Sequence, residues 1–290
     1  MKVFYGKVTD LEKDVQALFD LLKWEELIKE GERVLIKPNF CANYGDGVTT
    51  NMELLGVIIN LVRRRTGDVF VGETDSPFKD HKKMRDNFPL DCEFLNLSEE
   101  ETFIHKGLNL PKIALESVII NVPVFKTHML TEMTLGIKNL FGLIQDRKKS
   151  KYHYRIDSTL LDILDVIKPS INILDGIYSM DQTGPTDGRI RRTDFLMASR
   201  DVIALDMAAC GIAGVDPLKI GHIRRASQKY GTQTEFCTDF CMDFDVPKVS
   251  KVVKCGAYLQ QNPLTKKFLE DPDIYSFTKR VKNAIVGPKR

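Results

Sequence analysis

The chain has 290 residues, of which 43% are hydrophobic and 28% are charged. This composition can bury a full core, and the balance of 42 basic against 40 acidic residues argues against intrinsic disorder. A net charge of +2 gives no overall basic field of the kind that indicates nucleic acid or an anionic membrane as a partner. There is no apolar run of membrane-spanning length and no apolar segment typical of a secretory signal, and the six cysteines are dispersed. We therefore expect a protein of a reducing compartment, the cytoplasm.

Apolar patterning predicts strands and helices in alternation along the chain. The predicted strands cover residues 2–8, 33–36, 68–72, 93–97, 117–125, 172–174 and 195–198. The predicted helices cover residues 10–29, 51–65, 79–87, 131–143, 159–167, 201–213 and 217–230. Such alternation is typical of right-handed βαβ units, so we predict an α/β fold in which a mostly parallel sheet carries helices on both faces. The pattern is lost near Gly231, which indicates a core domain over 1–231 and a small C-terminal appendage over 232–290.

Ionisable or amide side chains follow four of the predicted core strands. They are Lys37, Asn39, Glu73, Asp75, Lys126, His128 and Asp175. Ligands of open parallel sheets bind at the carboxyl ends of strands, so we expect at least half of these side chains to line one cleft. The alternative is that strand ends are polar because they meet solvent.

Three of these side chains, Lys37, Lys126 and His128, are candidate catalytic residues. Pro38 favours an extended backbone at Lys37, which would hold the ammonium in a fixed direction. A lysine held in this way can bind a carboxylate or phosphate, or act as a base if its pKa is lowered by burial. Lys126 and His128 are two residues apart on a strand, so both can face the same side, and the imidazole suits acid–base work or metal binding. The alternatives are a surface lysine at a strand end and a structural histidine.

A second group of residues is predicted to bind the substrate. Its members are Asn39, Thr49, Thr50, Lys138, Asn139, Asp175 and Asp206. The loop with Thr49 and Thr50 leads into a helix, whose free N–H groups can hold a small anion, although plain capping by Thr50 explains the same pattern. Asp206 lies inside an apolar helix, where a carboxylate is costly unless it is paired, and we expect Asp175 and Asp206 to orient or neutralise the lysines. For Asp175 the alternative is an ordinary turn aspartate.

Lys138 and Asn139 lie between two glycines, Gly136 and Gly142, inside a predicted helix. Each glycine costs about 1 kcal/mol relative to alanine in a helix interior. Their presence therefore predicts close packing or a close approach to a ligand.

The cysteines and one basic stretch complete the candidates. Cys237, Cys241 and Cys255 do not have the spacing of zinc or iron–sulfur ligands, so no metal site is predicted and buried thiols are favoured. Cys41 follows Asn39 and is a candidate reactive thiol near the cleft. The basic stretch 147–155, with its interleaved tyrosines, could grip single-stranded nucleic acid or close over an anion, but a solvated loop is the favoured interpretation.

Several motifs, taken in this order, resemble those of a known family. The motifs are Ile36-Lys37-Pro38-Asn39, Val48-Thr49-Thr50-Asn51, Val122 to His128, Thr134 to Gly142, Asp175-Gly176, Gly184-Pro185 and Asp201 to Asp206. From about Arg33 to Gly231 the chain is similar to the domain of unknown function 362. In its architecture it also resembles, distantly, the N-terminal domain of the lactate racemase group, which handles hydroxy acids.

The resemblance implies a redox setting, because many similar proteins carry a ferredoxin-like segment with two runs of C-x₂-C-x₂-C-x₃-C. This chain lacks that ligand pattern. An iron–sulfur cluster would therefore belong to a separate ferredoxin-like partner, and the cofactor of this chain stays unassigned.

These observations together predict an enzyme that acts on a small, carboxylate-bearing anion by acid–base chemistry of lysine and histidine in a redox-linked setting. One alternative is a non-catalytic ligand-binding or redox accessory protein. A nucleic-acid-binding protein is the less favoured third interpretation.

Overall fold

The computed structural model describes residues 1–42, 44–77, 81–232, 234 and 240–247. The strands are β1 (Phe4–Lys7), β2 (Val34–Pro38), β3 (Val69–Glu73), β4 (Glu93–Asn96), β5 (Thr102–His105), β6 (Leu108–Pro111), β7 (Val118–Val122), β8 (Val124–His128), β9 (Glu132–Met133), β10 (Ile171–Asp181) and β11 (Arg189–Ser199). The α-helices are α1 (Leu11–Leu21), α2 (Met52–Arg63), α3 (His81–Asp86), α4 (Leu135–Asn139), α5 (Ile156–Val166), α6 (Val202–Ile212) and α7 (Gly221–Tyr230). Short 3₁₀ segments cover Trp24–Glu26, Lys112–Ala114, Leu140–Leu143, Lys149–Arg155 and Pro217–Lys219.

One large sheet organises the molecule, with the strand order β1-β11-β10-β7-β2-β3-β4. From β10 to β4 neighbouring strands are parallel, whereas β11 is antiparallel to both β10 and β1. Strand β8 continues from β7, pairs in parallel with β10 and carries the short antiparallel β9. The predicted α/β fold with a mostly parallel sheet is thus confirmed.

Both faces of the sheet are covered by helices. In β2, Leu35 packs into a core that includes α4, α5, α6 and α7, whereas Val34 and Ile36 pack into a second core with α1 and α2. Successive side chains of a strand point to opposite faces, so a strand buried on both sides consists of continuous apolar residues. Two helices begin as their sequences indicate, because Asn51 caps α2 at the N–H of Leu54 and Asp201 caps α6.

The structure differs from the predicted elements in several places. The single strand predicted over 117–125 is divided into β7 and β8 at Pro123, which has no N–H to donate to a ladder. The hairpin β5–β6 was not predicted. Strand β10 does not end at Asp175-Gly176, because it runs on to Asp181 alongside β8 and β11. The helix predicted over 131–143 is limited to α4 and the 3₁₀ segment after it.

The described part of the C-terminal extension, residues 240–247, packs against the core. Phe244 is buried, with its ring centroid 4.8 Å from that of Phe125. Backbone hydrogen bonds join Met242 to Ile212 on α6 and Asp245 to Gln182 after β10. Apart from residues 232 and 234, the rest of the predicted appendage lies outside the described residues. Among the helices that are described, none has the length and apolar character needed to cross a bilayer.

Candidate active site at the strand ends

The order of the strands reverses beside β2, which has β3 on one side and β7 on the other. At such a switch point the connections leave towards opposite faces of the sheet and open a crevice beyond the strand ends. Thr50 joins the two strand ends there, since its Oγ1 accepts the N–H of Asn39 at 2.8 Å and donates to the carbonyl of Val122 at 2.8 Å. The crevice therefore places Asn39 beside the chain that continues from β7 into β8.

Lys126, on β8, is fully buried in this crevice. Its Nζ donates to Asn39 Oδ1 at 3.0 Å, to Cys41 Sγ at 3.2 Å and to the carbonyls of Val48 and Pro185. In the part of the chain that the structure describes, no carboxylate lies within ion-pair distance of this ammonium. Burial lowers the pKa of Lys126, while Cys41 and, at longer range, the charge of Asp175 act in the opposite direction.

A chain of buried amide side chains continues from Lys126 into the sheet. Asn39 donates to Asn139 at 3.0 Å, Asn139 donates to Asn121 at 2.8 Å, and Asn121 donates to Asn172 at 3.1 Å. This row of amides connects the end of β2 with α4, β7 and β10. It holds Asn39 Oδ1, the acceptor that Lys126 contacts, in place. Asn39 and Asn139 were predicted site residues, whereas Asn121 and Asn172 were missed. The available signal was an asparagine inside an apolar strand, which is costly unless it is hydrogen-bonded.

Lys138, on α4, is a half-buried lysine at the same strand ends. Its Nζ lies 4.4 Å from the ring centroid of Phe141. No described residue offers it a hydrogen bond or an ion pair. Burial lowers the pKa of Lys138 to about 8, and the charges of Lys126 and Lys37 act in the same direction.

His128 is half-buried at the end of β8. Its Nδ1 accepts the N–H of Leu130 at 3.1 Å, so the proton of the neutral imidazole sits on Nε2. Within the described residues Nε2 has no hydrogen-bond partner. Burial, followed by the charge of Lys138, holds the pKa of His128 well below its usual range. The ring is therefore neutral at pH 7 and presents an N–H group.

His153 is a third basic side chain at this place, and sequence reasoning named it only as part of the basic stretch. Its ring stacks with that of Phe141 at a centroid distance of 5.7 Å and an interplanar angle of 30°. Burial and the charge of Lys138 lower the pKa of His153 to about 4. The signal that could have identified it is a histidine beside tyrosines near the predicted cleft.

Part of the segment that carries His153 is folded onto the core, whereas Lys148, Lys151 and Tyr154 are exposed, as the favoured interpretation of a solvated loop expects. Tyr152 is buried and donates to Asp146 Oδ2 at 2.7 Å. Lys149 donates to the carbonyl of Asp75 at 2.9 Å and contacts the hydroxyl of Thr74.

Lys37 is completely buried, unlike Lys138. Its Nζ lies 2.9 Å from Glu73 Oε2 and 2.6 Å from the carbonyl of Pro38. A Cβ at Gly142 would come within 2.9 Å of this ammonium, so the glycine allows the chain to close over the ion pair. The structure thus places Lys37 in a buried ion pair with no exposed surface, and its catalytic role stays a prediction.

Asp206 and Asp175 form no ion pair with the lysines, although the charges of Asp175 and Lys126 act on each other as predicted. Asp206 accepts the N–H groups of Gly136 and Ile137 at 2.7 and 2.9 Å, and Asp175 accepts that of Asn51 at 2.7 Å. The first N–H groups of a helix have no hydrogen-bond acceptor within the helix. Asp206 provides such an acceptor for α4, and Asp175 provides one for α2. Burial raises the pKa of Asp206 to about 8 and that of Asp175 to about 6, although the backbone hydrogen bonds act in the opposite direction.

Thr49 and Thr50, both buried, hold the loop after β2 in place. Thr49 Oγ1 accepts the N–H of Gly45 at 3.0 Å and donates to its carbonyl at 3.2 Å. Their hydroxyls are therefore committed to the backbone.

Metal ligands do not come together in the part of the chain that is described. No group of three or more histidine, cysteine, aspartate or glutamate side chains there could hold a metal ion. Cys41 is half-buried and Cys241 is exposed, while Cys237 and Cys255 lie outside the described residues. The described side chains consequently do not fit an iron–sulfur cluster.

The sequence matches, over residues 34–211, the family described as Domain of unknown function (DUF362). The chain belongs to this family. The match contains all the predicted site residues of this DUF362 protein, from Lys37 to Asp206. A curated relative is the thylakoid-associated protein sll1697 of Synechocystis sp., which is 33% identical over 217 residues. That alignment covers 67% of the DUF362 chain and 66% of the relative, so the chain spans just under two thirds of the relative's length. No solved structure matches the DUF362 chain.

Proposed function

We propose that this DUF362 protein binds a small, carboxylate-bearing anion at the strand ends and converts it by acid–base chemistry. One observation carries the proposal: no carboxylate among the described residues lies within ion-pair distance of Lys126 or Lys138. Uncompensated charges in a desolvated site are costly, and an anionic ligand removes that cost. Lys126 is enclosed and contributes its charge, whereas Lys138 is accessible to the carboxylate.

The acid–base role belongs to His128 in this proposal. A neutral imidazole with an open Nε2–H lies near a lysine whose pKa is about 8, so the lysine can exchange its proton near neutral pH and the imidazole offers an N–H to the substrate. A bound anion favours the protonated forms and raises both pKa values. His128 then donates or accepts the proton, while Lys138 orients the substrate and Asn39 and Asn139 keep Lys126 in place.

The setting of the reaction also belongs to the proposal. The family resemblance supports a redox-linked pathway with a separate ferredoxin-like partner. We propose a cytoplasmic location, and the thylakoid association in the name of the Synechocystis relative suggests a membrane surface as the alternative. Nucleic-acid binding is less favoured, because the basic stretch packs Tyr152 into the core and leaves only the ring of Tyr154 exposed among its tyrosines.

The test is a screen of small carboxylates and their neutral amides by thermal unfolding and by product detection. We expect one carboxylate to raise the unfolding midpoint and its amide to leave it unchanged. Lys138→Met should remove this stabilisation, His128→Asn should keep binding but lose turnover, and Lys148→Met, at an exposed lysine nearby, is the matched control.

Two outcomes separate the hypotheses. If the carboxylate still raised the unfolding midpoint of Lys138→Met, the proposed binding site at Lys138 would be wrong. Tight binding without any product in the unmodified protein would favour the alternative of a non-catalytic ligand-binding protein.

A further inference from the structure

We propose that the ligand of this site is a dicarboxylate, and that His153 holds its second carboxylate. This inference rests on the proposed function, in which Lys138 holds the first carboxylate, and it adds both a residue and a substrate class.

The first argument is the convergence of two basic side chains on one ring. Lys138 Nζ lies 4.4 Å from the centroid of Phe141, and the ring of His153 stacks with the same Phe141 at 5.7 Å. The two residues come from α4 and from the 3₁₀ segment Lys149–Arg155, which are separate parts of the chain. Neither side chain has a hydrogen-bond partner among the described residues, so both can contact a ligand placed beside the ring.

The second argument is that His153 is held in place before a ligand arrives. Buried Tyr152 anchors the segment through Asp146, and Lys149 anchors it through the carbonyl of Asp75. Stacking on Phe141 restricts the imidazole further. A side chain that is already ordered loses little conformational entropy on binding, so its contact contributes fully to affinity.

The third argument is the balance of charge. Two lysines, Lys126 and Lys138, lack a carboxylate partner in the described part of the chain, so one carboxylate on a ligand leaves one positive charge uncompensated. A second carboxylate offsets that remaining charge. Beside it, a neutral His153 that takes up a proton becomes a charge-assisted donor, the stronger type of hydrogen bond.

The charged and titratable groups around these imidazoles all disfavour protonation while the site is empty. Lys138 acts on His153, and Lys138, Lys126, His153 and His222 act on His128. A dianion offsets the charges of the two lysines and places a carboxylate beside His153, so its binding should draw protons from solution. A neutral ligand would not do so.

Calorimetric titration tests the inference with unbranched dicarboxylates from malonate to adipate, with monocarboxylates of equal length and with inorganic phosphate. We expect at least one dicarboxylate to bind about tenfold more tightly than its matched monocarboxylate, the gain of one charge-assisted hydrogen bond. Titrations at pH 6.5 in two buffers of different ionisation enthalpy should show proton uptake with the dicarboxylate. Phosphate that binds more tightly than every dicarboxylate would overturn the assigned substrate class.

Variants at position 153 separate a ligand contact from a structural role. His153→Phe keeps the stacking on Phe141 but has no ring nitrogen, so dicarboxylate affinity should fall about tenfold to the monocarboxylate level while monocarboxylate affinity stays unchanged. His153→Gln should restore part of the preference, and Tyr154→Phe, at the exposed neighbour, is the control. A dicarboxylate preference that survives His153→Phe would overturn the inference.

The same titrations distinguish this inference from the proposed function. Equal binding of mono- and dicarboxylates, lost in Lys138→Met, would refute the role of His153 and leave the proposed function standing. If no carboxylate bound at all, the proposed function itself would be wrong. Thermal midpoints of the variants show in each case that the protein is folded.

Discussion

Three lysines at the strand ends have different roles because they differ in burial and in their partners. Lys37 is enclosed with Glu73, Lys126 is enclosed with neutral acceptors, and Lys138 is accessible beside Phe141. The sequence indicated that all three lie near one crevice, because each follows or adjoins a core strand. It could not distinguish them, since the partner of each lysine comes from a distant part of the chain.

The pKa of Lys138 makes a prediction about the pH dependence of binding. Monocarboxylate affinity should be constant well below pH 8 and should fall as the pH rises through about 8, because the ammonium of the free protein loses its proton there. In Lys138→Arg the guanidinium stays charged, so the alkaline decrease should be absent. Calorimetric titrations of the best monocarboxylate from pH 6 to pH 9.5 check this, and a flat profile in the unmodified protein would contradict the assignment of Lys138.

The buried Asp206 predicts a pH dependence of stability. Its pKa of about 8 in the folded protein lies above the value of about 3.9 for an unfolded aspartate, so the native state binds more protons between these limits. The contribution of Asp206 to the free energy of unfolding is therefore greatest below about pH 4 and is lost as the pH rises towards about 8. In Asp206→Asn this decrease should disappear.

Urea unfolding at pH 5, 6.5 and 8 measures the decrease. Asp10→Asn is a suitable control, because Lys13 lowers the pKa of Asp10 and that carboxylate is ionised over the whole range in both states. An Asp206→Asn variant with the same slope as the unmodified protein would show that another group is responsible.

At the scale of elements, helices and strands with regularly spaced apolar residues were predicted well. Elements whose extent depends on pairing with a strand from a distant part of the chain were not. Helix α2 shows both its buried face and its Asn51 cap in sequence. Strand β10 continues past Asp175 only because β8 and β11 pair with it there, and no local pattern records that pairing. The hairpin β5–β6 had one local signal, the turn at Lys106-Gly107, where both residues have positive φ.

The close contact at Gly142 allows a test of how the chain closes over the ion pair of Lys37 and Glu73. A Cβ at this position would lie 2.9 Å from Lys37 Nζ and 3.1 Å from Glu73 Oε1, so Gly142→Ala should destabilise the protein by about 1–3 kcal/mol through overpacking. Gly211→Ala is the matched control, since a Cβ there meets nothing within 4 Å. Gly211→Ala, inside α6, should leave the free energy of unfolding unchanged or raise it by up to about 1 kcal/mol. Equal urea midpoints for the two variants would contradict the proposed contact.

At the scale of the whole molecule, the site lies where the two connections at the β2 switch point diverge. The convergence of Asn39, Lys126 and His128 could be predicted from the alternation of strands and helices alone, because parallel strands end at one edge. The positions of His153 and Asn172 could not, since they depend on how one 3₁₀ segment packs on another and on which strand lies beside β7.

The last prediction concerns whether residues 240–247 fold together with the core. Phe244 packs into the core cluster that contains Phe125, on the face of the sheet opposite the cluster of the only tryptophan, Trp24. Phe244→Ala in the full chain should lower the free energy of unfolding by about 3 kcal/mol, because it leaves a cavity beside Phe125 and Arg191. If the two cores unfold as one cooperative unit, Trp24 fluorescence and far-ultraviolet circular dichroism should report the same reduced urea midpoint.

Leu218→Ala, at a half-exposed side chain, is the control and should change the urea midpoint little. A Trp24 midpoint that stays unchanged in Phe244→Ala would mean that residues 240–247 are an independent appendage, because the loss of their anchor would then not reach the other face of the sheet.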